Sequence, residues 1–237
     1  MKRKLKILIL WLNALMKRDA ASKCIFYHDV STDYTPMGTP RELFWQHMGI
    51  LRAGDVVCFD DGFRGIWDDR ETFKVGLIRP KVFLAVDLIG KPNYLTWIEI
   101  LTLQNEYGFD FQCHTWSHQT LTGPYNDEVA SPAEGRTEAW FMRELVESKR
   151  ELEVRLGKEI DELCFPVGYF SDETIKRCKQ AGYKRVWASY PGNLSDDYVQ
   201  PRCLCQDLSV FEVRCVLNGG MNPLANRYLG MHKINTE

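Results

Sequence analysis

Short apolar runs, rich in β-branched and aromatic residues, recur along the chain at residues 24–28, 56–59, 81–86, 109–113, 162–165 and 185–188, with a weaker one at 200–204. They are nearly continuous in hydrophobicity and do not alternate with polar positions. That pattern predicts parallel strands buried on both faces. Helical patterns fall between them. Ser131-Pro132-Ala133-Glu134 reads as a capping box, followed by Phe141, Leu145, Leu152 and Leu156 at helical spacing, with Gly157 as the stop. Ser171 is placed to cap a second helix ending near Gly182. Alternating strands and helices predict an α/β fold with a parallel sheet. About seven strands allow a barrel, an incomplete one included; a doubly wound open sheet is the second possibility.

The chain has 237 residues, 45% hydrophobic and 26% charged, with a net charge of −2. These values fit one soluble globular domain and exclude a disordered chain and a multi-span membrane protein. The basic balance of a nucleic-acid binder is absent. Residues 1–23 stand apart, with seven basic residues against one acid, while the rest of the chain is net −8. Ile7 to Met16 is an apolar run behind that basic start, as in a signal peptide, but it is too short to span a bilayer and meets Lys17, Arg18 and Asp19 where small residues are needed for cleavage. The expectation is an uncleaved basic, apolar helix over 1–23 that packs on the body or lies on an anionic membrane surface, joined to a single catalytic domain over 24–237. The eight cysteines sit largely within apolar runs and include no C-x-x-C pair. They read as reduced thiols of a cytoplasmic, membrane-peripheral protein, a secreted or periplasmic location being second.

The chemistry gathers at strand ends. His28, Asp60 with Asp61, His114 and Pro166 each follow a strand-like run, and in a parallel α/β fold such ends meet on one rim. Asp60-Asp61-Gly62 reads equally well as a solvated turn or as a pair of working carboxylates. His114 and His118, four apart, share a face if their backbone is helical, a common spacing for metal ligands. Two histidines and one aspartate make a mixed N/O site for one divalent metal, zinc first, with Fe, Co or Ni also accommodated. The other aspartate is then free to act as a base, the equipment of a hydrolase.

Phe59-Asp60-Asp61-Gly62 and His114-Thr115-Trp116-Ser117-His118, in this order, resemble the first two motifs of the NodB-type polysaccharide deacetylases, carbohydrate esterase family 4. Phe165-Pro166-Val167-Gly168 resembles the proline loop of the third. The resemblance implies a distorted (β/α) barrel in which Asp61, His114 and His118 bind the metal, Asp60 is the base and the Val167 N–H faces the oxyanion. Two features depart from the pattern. Cys164 stands where the third motif opens with arginine, and no late Leu-x-His supplies an acid. Tyr27-His28-Asp29 is similar to a segment of the poly-N-acetylglucosamine deacetylase branch, which makes His28 the candidate acid, with His232 behind it. Arg64 is a candidate to replace the missing arginine or to touch substrate; Trp116, Pro166 and Tyr169 complete the candidate substrate contacts. Asp29 and Asp87 are secondary candidates on the same rim, and His47 reads as structural. The activity implied is metal-dependent removal of an N-acetyl group from an amino sugar of a polysaccharide or glycolipid. The alternatives are a catalytically impaired carbohydrate-binding member of the fold, and a deformylase or O-deacetylase acting on a lipid-linked sugar.

Overall fold

The computed structural model describes residues 2–17, 23–76, 78–122, 136–189 and 198–220. Its frame is an eight-stranded sheet, every neighbour parallel, in the order β7-β6-β5-β4-β3-β2-β1-β8. The strands are β1 (Cys24–Tyr27), β2 (Val56–Asp61), β3 (Lys81–Leu84), β4 (Asp110–Cys113), β5 (Glu162–Cys164), β6 (Arg185–Ala188), β7 (Val199–Pro201) and β8 (Cys203–Leu204). The helices are α1 (Lys2–Lys17), α2 (Arg41–Met48), α3 (Gly65–Asp68), α4 (Arg70–Val75), α5 (Trp97–Tyr107), α6 (Glu138–Phe141), α7 (Ser148–Leu156), α8 (Asp172–Gln180) and α9 (Val210–Leu217).

The weak run at 200–204 closes the sheet into a barrel. β7 pairs with β6, and one residue later β8 pairs with β1 on the opposite edge. Arg202, at the switch, donates its N–H to Ala188 O, and Cys205 N–H donates to Phe26 O. One short segment thus bridges both edges of an otherwise six-stranded sheet, which is the physical reason it reads weakly as a strand: neither half pairs for more than three residues.

The pleat sends alternate residues to opposite faces. Cys24, Phe26, Cys58, Phe83, Cys164 and Trp187 fill the barrel interior as one cluster. Their neighbours Ile25, Tyr27, Val57, Phe59, Val82, Leu84, Leu163 and Val186 face outward into the larger core. Both faces are dry, so the sequence shows no alternation. All eight cysteines are buried thiols.

Several boundaries differ from the sequence reading. β2 runs on through Asp60 and Asp61, so the aspartate pair closes the strand and does not follow it. The proposed Ser131 capping box lies outside the described residues; the helix there opens at Thr137, whose hydroxyl accepts from Trp140 N–H, and it continues through a π-helical stretch, Met142–Glu147, into α7. Gly157 ends it in the left-handed conformation. Ser171 caps α8 with a full capping box. His47 lies in α2 with Nδ1 3.0 Å from Tyr27 Oη.

Candidate active site

Asp60 and Asp61 are consecutive residues of a strand, so their side chains leave on opposite sides and take different partners. The Asp60 carboxylate lies 4% exposed and pairs with Arg202, Nη1 to Oδ1 at 2.6 Å and Nη2 to Oδ2 at 2.8 Å. Burial pushes the Asp60 carboxyl up, but the guanidinium, with His114 and His28 behind it, holds it below the usual carboxylate range. Arg202 is itself fully buried, lies over the Phe26 ring at 4.2 Å, and its Nη2 stands 2.8 Å from Cys164 Sγ. The arginine that serves Asp60 therefore comes from the seam strand. Arg64 stands elsewhere, half-exposed, with Nε 3.0 Å from Glu99 Oε1. Cys164, at the position where the resembled motif has arginine, leaves the space that Arg202 fills.

Asp61 turns the other way. Its φ is +70° and that of Gly62 is +80°, a tight left-handed turn closed by Gly62 N–H to Asp60 O. Glycine is needed there both for its φ and because a Cβ would stand 2.7 Å from a Leu84 methyl. The turn carries Asp61 Oδ1 to 3.0 Å from His118 Nε2 and 3.5 Å from His114 Nε2.

The two histidines do not share a helix. Residues 114–118 form an irregular loop in which Thr115 and His118 have φ of +69° and +60°. Left-handed residues other than glycine are uncommon, and their clustering here is the backbone cost of bringing both rings onto Asp61. His114 Nδ1 lies 2.8 Å from Cys164 O. A carbonyl only accepts, so Nδ1 carries the hydrogen and the Nε2 lone pair points at Asp61. Burial holds His114 down to about 4, so the ring is neutral at ordinary pH. For His118, burial works against the charged ring, but Asp61 overrides it and raises the value.

Glu144 holds this loop from behind. It is buried in the π-helical stretch; its Oε2 accepts from Trp116 N–H at 3.0 Å and Ser117 N–H at 2.9 Å, and its Oε1 from Ser117 Oγ at 2.7 Å. Within the loop, Trp116 Nε1 donates to Asp87 Oδ1 at 2.7 Å, with the Arg143 guanidinium 5.0 Å from its ring centre.

Asp61, His114 and His118 present ligand atoms within 4.8 Å of one another. Asp61 Oδ1 is buried and has no hydrogen-bond partner, although both imidazoles face it. One carboxylate oxygen and two imidazole nitrogens aimed at a common point, one of the rings locked in the tautomer a ligand needs, fit a divalent cation. Asp60, His114 and Cys164 converge equally closely, but there the Arg202 guanidinium already supplies the positive charge.

His28 follows β1 at the same rim and is half-buried. Its Nδ1 donates to Gln206 Oε1 at 2.7 Å, and Nε2 has no hydrogen bond among the described residues. Asp29 does not orient it; the Asp29 carboxylate accepts from Val30 N–H and Gly65 N–H instead. Pro166, Val167 and Gly168 form a tight turn after β5, with Val167 exposed at φ +59° and Tyr169 half-buried beyond it. His232 lies outside the described residues.

Arg202, Glu144 and Gln206 escaped the sequence reading. Cys164 was the available signal for the first, since a buried aspartate without its usual arginine requires another cation. A glutamate next to Leu145, on the inner face of a helix, was the signal for the second.

The all-parallel sheet, nearly closed into a distorted (β/α) barrel, gathers these polar side chains at one rim. Residues 56–186 match the family model described as Polysaccharide deacetylase, and the chain belongs to that family. The Bacillus subtilis protein YxkH is 23% identical over 143 residues, covering 60% of this chain and 47% of the relative, so the match spans about half that relative's length. Among solved structures, IcaB from Ammonifex degensii has a TM-score of 0.70 at 16% identity, covering 84% of this chain and 98% of that one. The Streptococcus pyogenes deacetylase PplD, solved with acetate, has a TM-score of 0.65 at 19% identity, covering 86% and 99%. A polysaccharide deacetylase from Bacillus cereus has a TM-score of 0.68 at 16% identity, covering 83% and 69%. At these identities the structures establish the shared barrel.

Proposed function

We propose that this protein is a metal-dependent deacetylase that hydrolyses the N-acetyl group of an amino sugar in a polysaccharide or glycolipid. The observation that carries the reading is the division of labour between adjacent aspartates: Asp61 joins two imidazoles, while Asp60 is kept apart and ionised by Arg202. A divalent cation on Asp61, His114 and His118, with zinc preferred and Fe, Co or Ni also suited, would supply Lewis-acid polarisation of the acyl oxygen and acidify water.

The chain's own residues do the rest. Asp60 takes a proton from the attacking water as its oxygen bonds to the acyl carbon. Both Asp60 oxygens are engaged by Arg202, but each keeps a second lone pair for that proton. The Val167 N–H serves the oxyanion. As the C–N bond breaks, His28 protonates the departing nitrogen through Nε2, its orientation set by Gln206. Trp116, held by Asp87, and Tyr169 offer faces on which a sugar ring can stack, beside Pro166. Cys164 would argue for a binding-only member if it left Asp60 without a cation; Arg202 removes that argument.

The test is acetate release from a panel of N-acetylglucosamine oligomers and acylated glycolipids by the metal-loaded protein. Turnover should fall by about 10²–10⁴-fold in Asp60→Asn. Metal-loaded protein that releases no acetate from any member, or an Asp60→Asn variant with full turnover, would overturn the reading.

A further inference from the structure

α1 has two faces. Leu10 and Ala14 are buried against the body, while Leu5, Leu8, Trp11, Leu12 and Leu15 are 59, 47, 40, 44 and 48% exposed. At helical spacing these five form one continuous apolar stripe. The same helix carries Lys2, Arg3, Lys4, Lys6 and Lys17 and no acidic residue. No helix among the described residues is long and apolar enough to cross a membrane.

We infer that α1 lies on an anionic lipid bilayer, its leucine–tryptophan stripe entering the interface and the exposed Lys4 and Lys6 drawing it to lipid phosphates. Charge selects this occupant. A second copy of the stripe would set the exposed Lys4 and Lys6 of both copies near one another, whereas an anionic surface neutralises them. The acidic remainder of the chain is repelled by the same surface, which leaves α1 as the contacting element.

Contacts also give the helix a direction. Arg3 lies 3.7 Å from Glu212, in the first turn of α9, and a Cβ on Gly220, just beyond the end of α9, would stand 2.7 Å from the Leu10 carbonyl. α1 therefore runs parallel to α9. α9 begins shortly after Gln206, the residue that holds His28. The cationic start of α1 thus sits at the same end of the barrel as the candidate active site, so a docked α1 sets the flank of the barrel on the lipid with that rim beside the surface. The consequence that the acylated glycan is met at a membrane rests on the deacetylase reading; the docking does not.

The experiment is sedimentation of the full chain with vesicles of phosphatidylglycerol mixed with phosphatidylcholine, and with phosphatidylcholine alone, with the oligomeric state measured without lipid. The chain should be a monomer that binds the anionic vesicles and is released by about 1 M salt, where screening is nearly complete. Leu8→Gln/Leu12→Gln should weaken partitioning about tenfold or more, and Lys4→Glu/Lys6→Glu should abolish the preference for anionic lipid, both with unchanged circular dichroism. The proposal is overturned if anionic vesicles bind no protein, if neither variant changes binding, or if the wild type dimerises through the stripe and the variants do not. Acetate release from a soluble oligomer, measured in parallel, separates failure of docking from failure of the deacetylase reading.

Discussion

Arg202 and Asp60 form a two-pronged ion pair sealed inside the barrel, 142 residues apart in sequence. The pair joins the seam of the barrel to the candidate base, so closure of the sheet and ionisation of Asp60 depend on the same side chain. Removing one partner of a buried pair leaves an uncompensated charge. Arg202→Met should cost about 3–5 kcal/mol of stability. It should also free the Asp60 carboxyl to rise, moving the acidic limb of the kcat/KM profile to higher pH. Arg202→Lys should recover part of both. Denaturant midpoints and a pH–rate profile check this, and an unshifted acidic limb in a folded Arg202→Met protein would refute it.

Metal retention and turnover should separate by residue. His114→Ala should lose both the cation and activity, because His114 is a proposed ligand locked by Cys164 O. His28→Ala should keep the cation and lose turnover by about 10²-fold or more, since its ring is tied to Gln206 and not to the ligand cluster. Metal content by emission spectroscopy, beside acetate release, reads both. Near-normal turnover in His28→Ala would transfer the acid role to another group, with His232 next.

Glu144 orients the loop that carries His118 by accepting two N–H bonds and one hydroxyl bond. Glu144→Gln places an NH₂ group among those donors. The metal affinity should fall about 10–100-fold, as when a group supporting a metal ligand is lost. Competition with a chromophoric chelator measures it, and affinity equal to wild type would show that the loop holds its shape without the carboxylate.

Asp29 sets a pH signature. Burial raises its carboxyl from an ordinary 3.8 to about 7, despite its two backbone hydrogen bonds. Between pH 4 and 7 the folded chain then holds a proton that the unfolded chain has released. This contribution to stability is fully present at low pH and is lost as pH rises toward 7, on the order of 4 kcal/mol in total. Urea unfolding at pH 5 and pH 8 should show the loss in wild type and a much smaller one in Asp29→Asn. Equal pH dependence in the two proteins would exclude Asp29 as its source.

The sequence by itself determined the parallel α/β architecture, because strands wetted on neither face must be apolar throughout, and runs such as Cys24 to Tyr27 and Arg185 to Ala188 carry that constraint locally. It also marked Asp60, Asp61, His114 and His118, since two adjacent carboxylates and two imidazoles at strand ends are costly without a task. Only the tertiary structure decided how the sheet closes, because the one weak run at 200–204 splits into β7 and β8, which are defined by partners at opposite edges. It alone brought Arg202 to Asp60, Glu144 to Ser117 and Gln206 to His28. These are long-range pairings with no fixed spacing along the chain. A lone arginine, glutamate or glutamine is locally indistinguishable from a solvated one, and its role follows from the desolvation that the completed fold imposes.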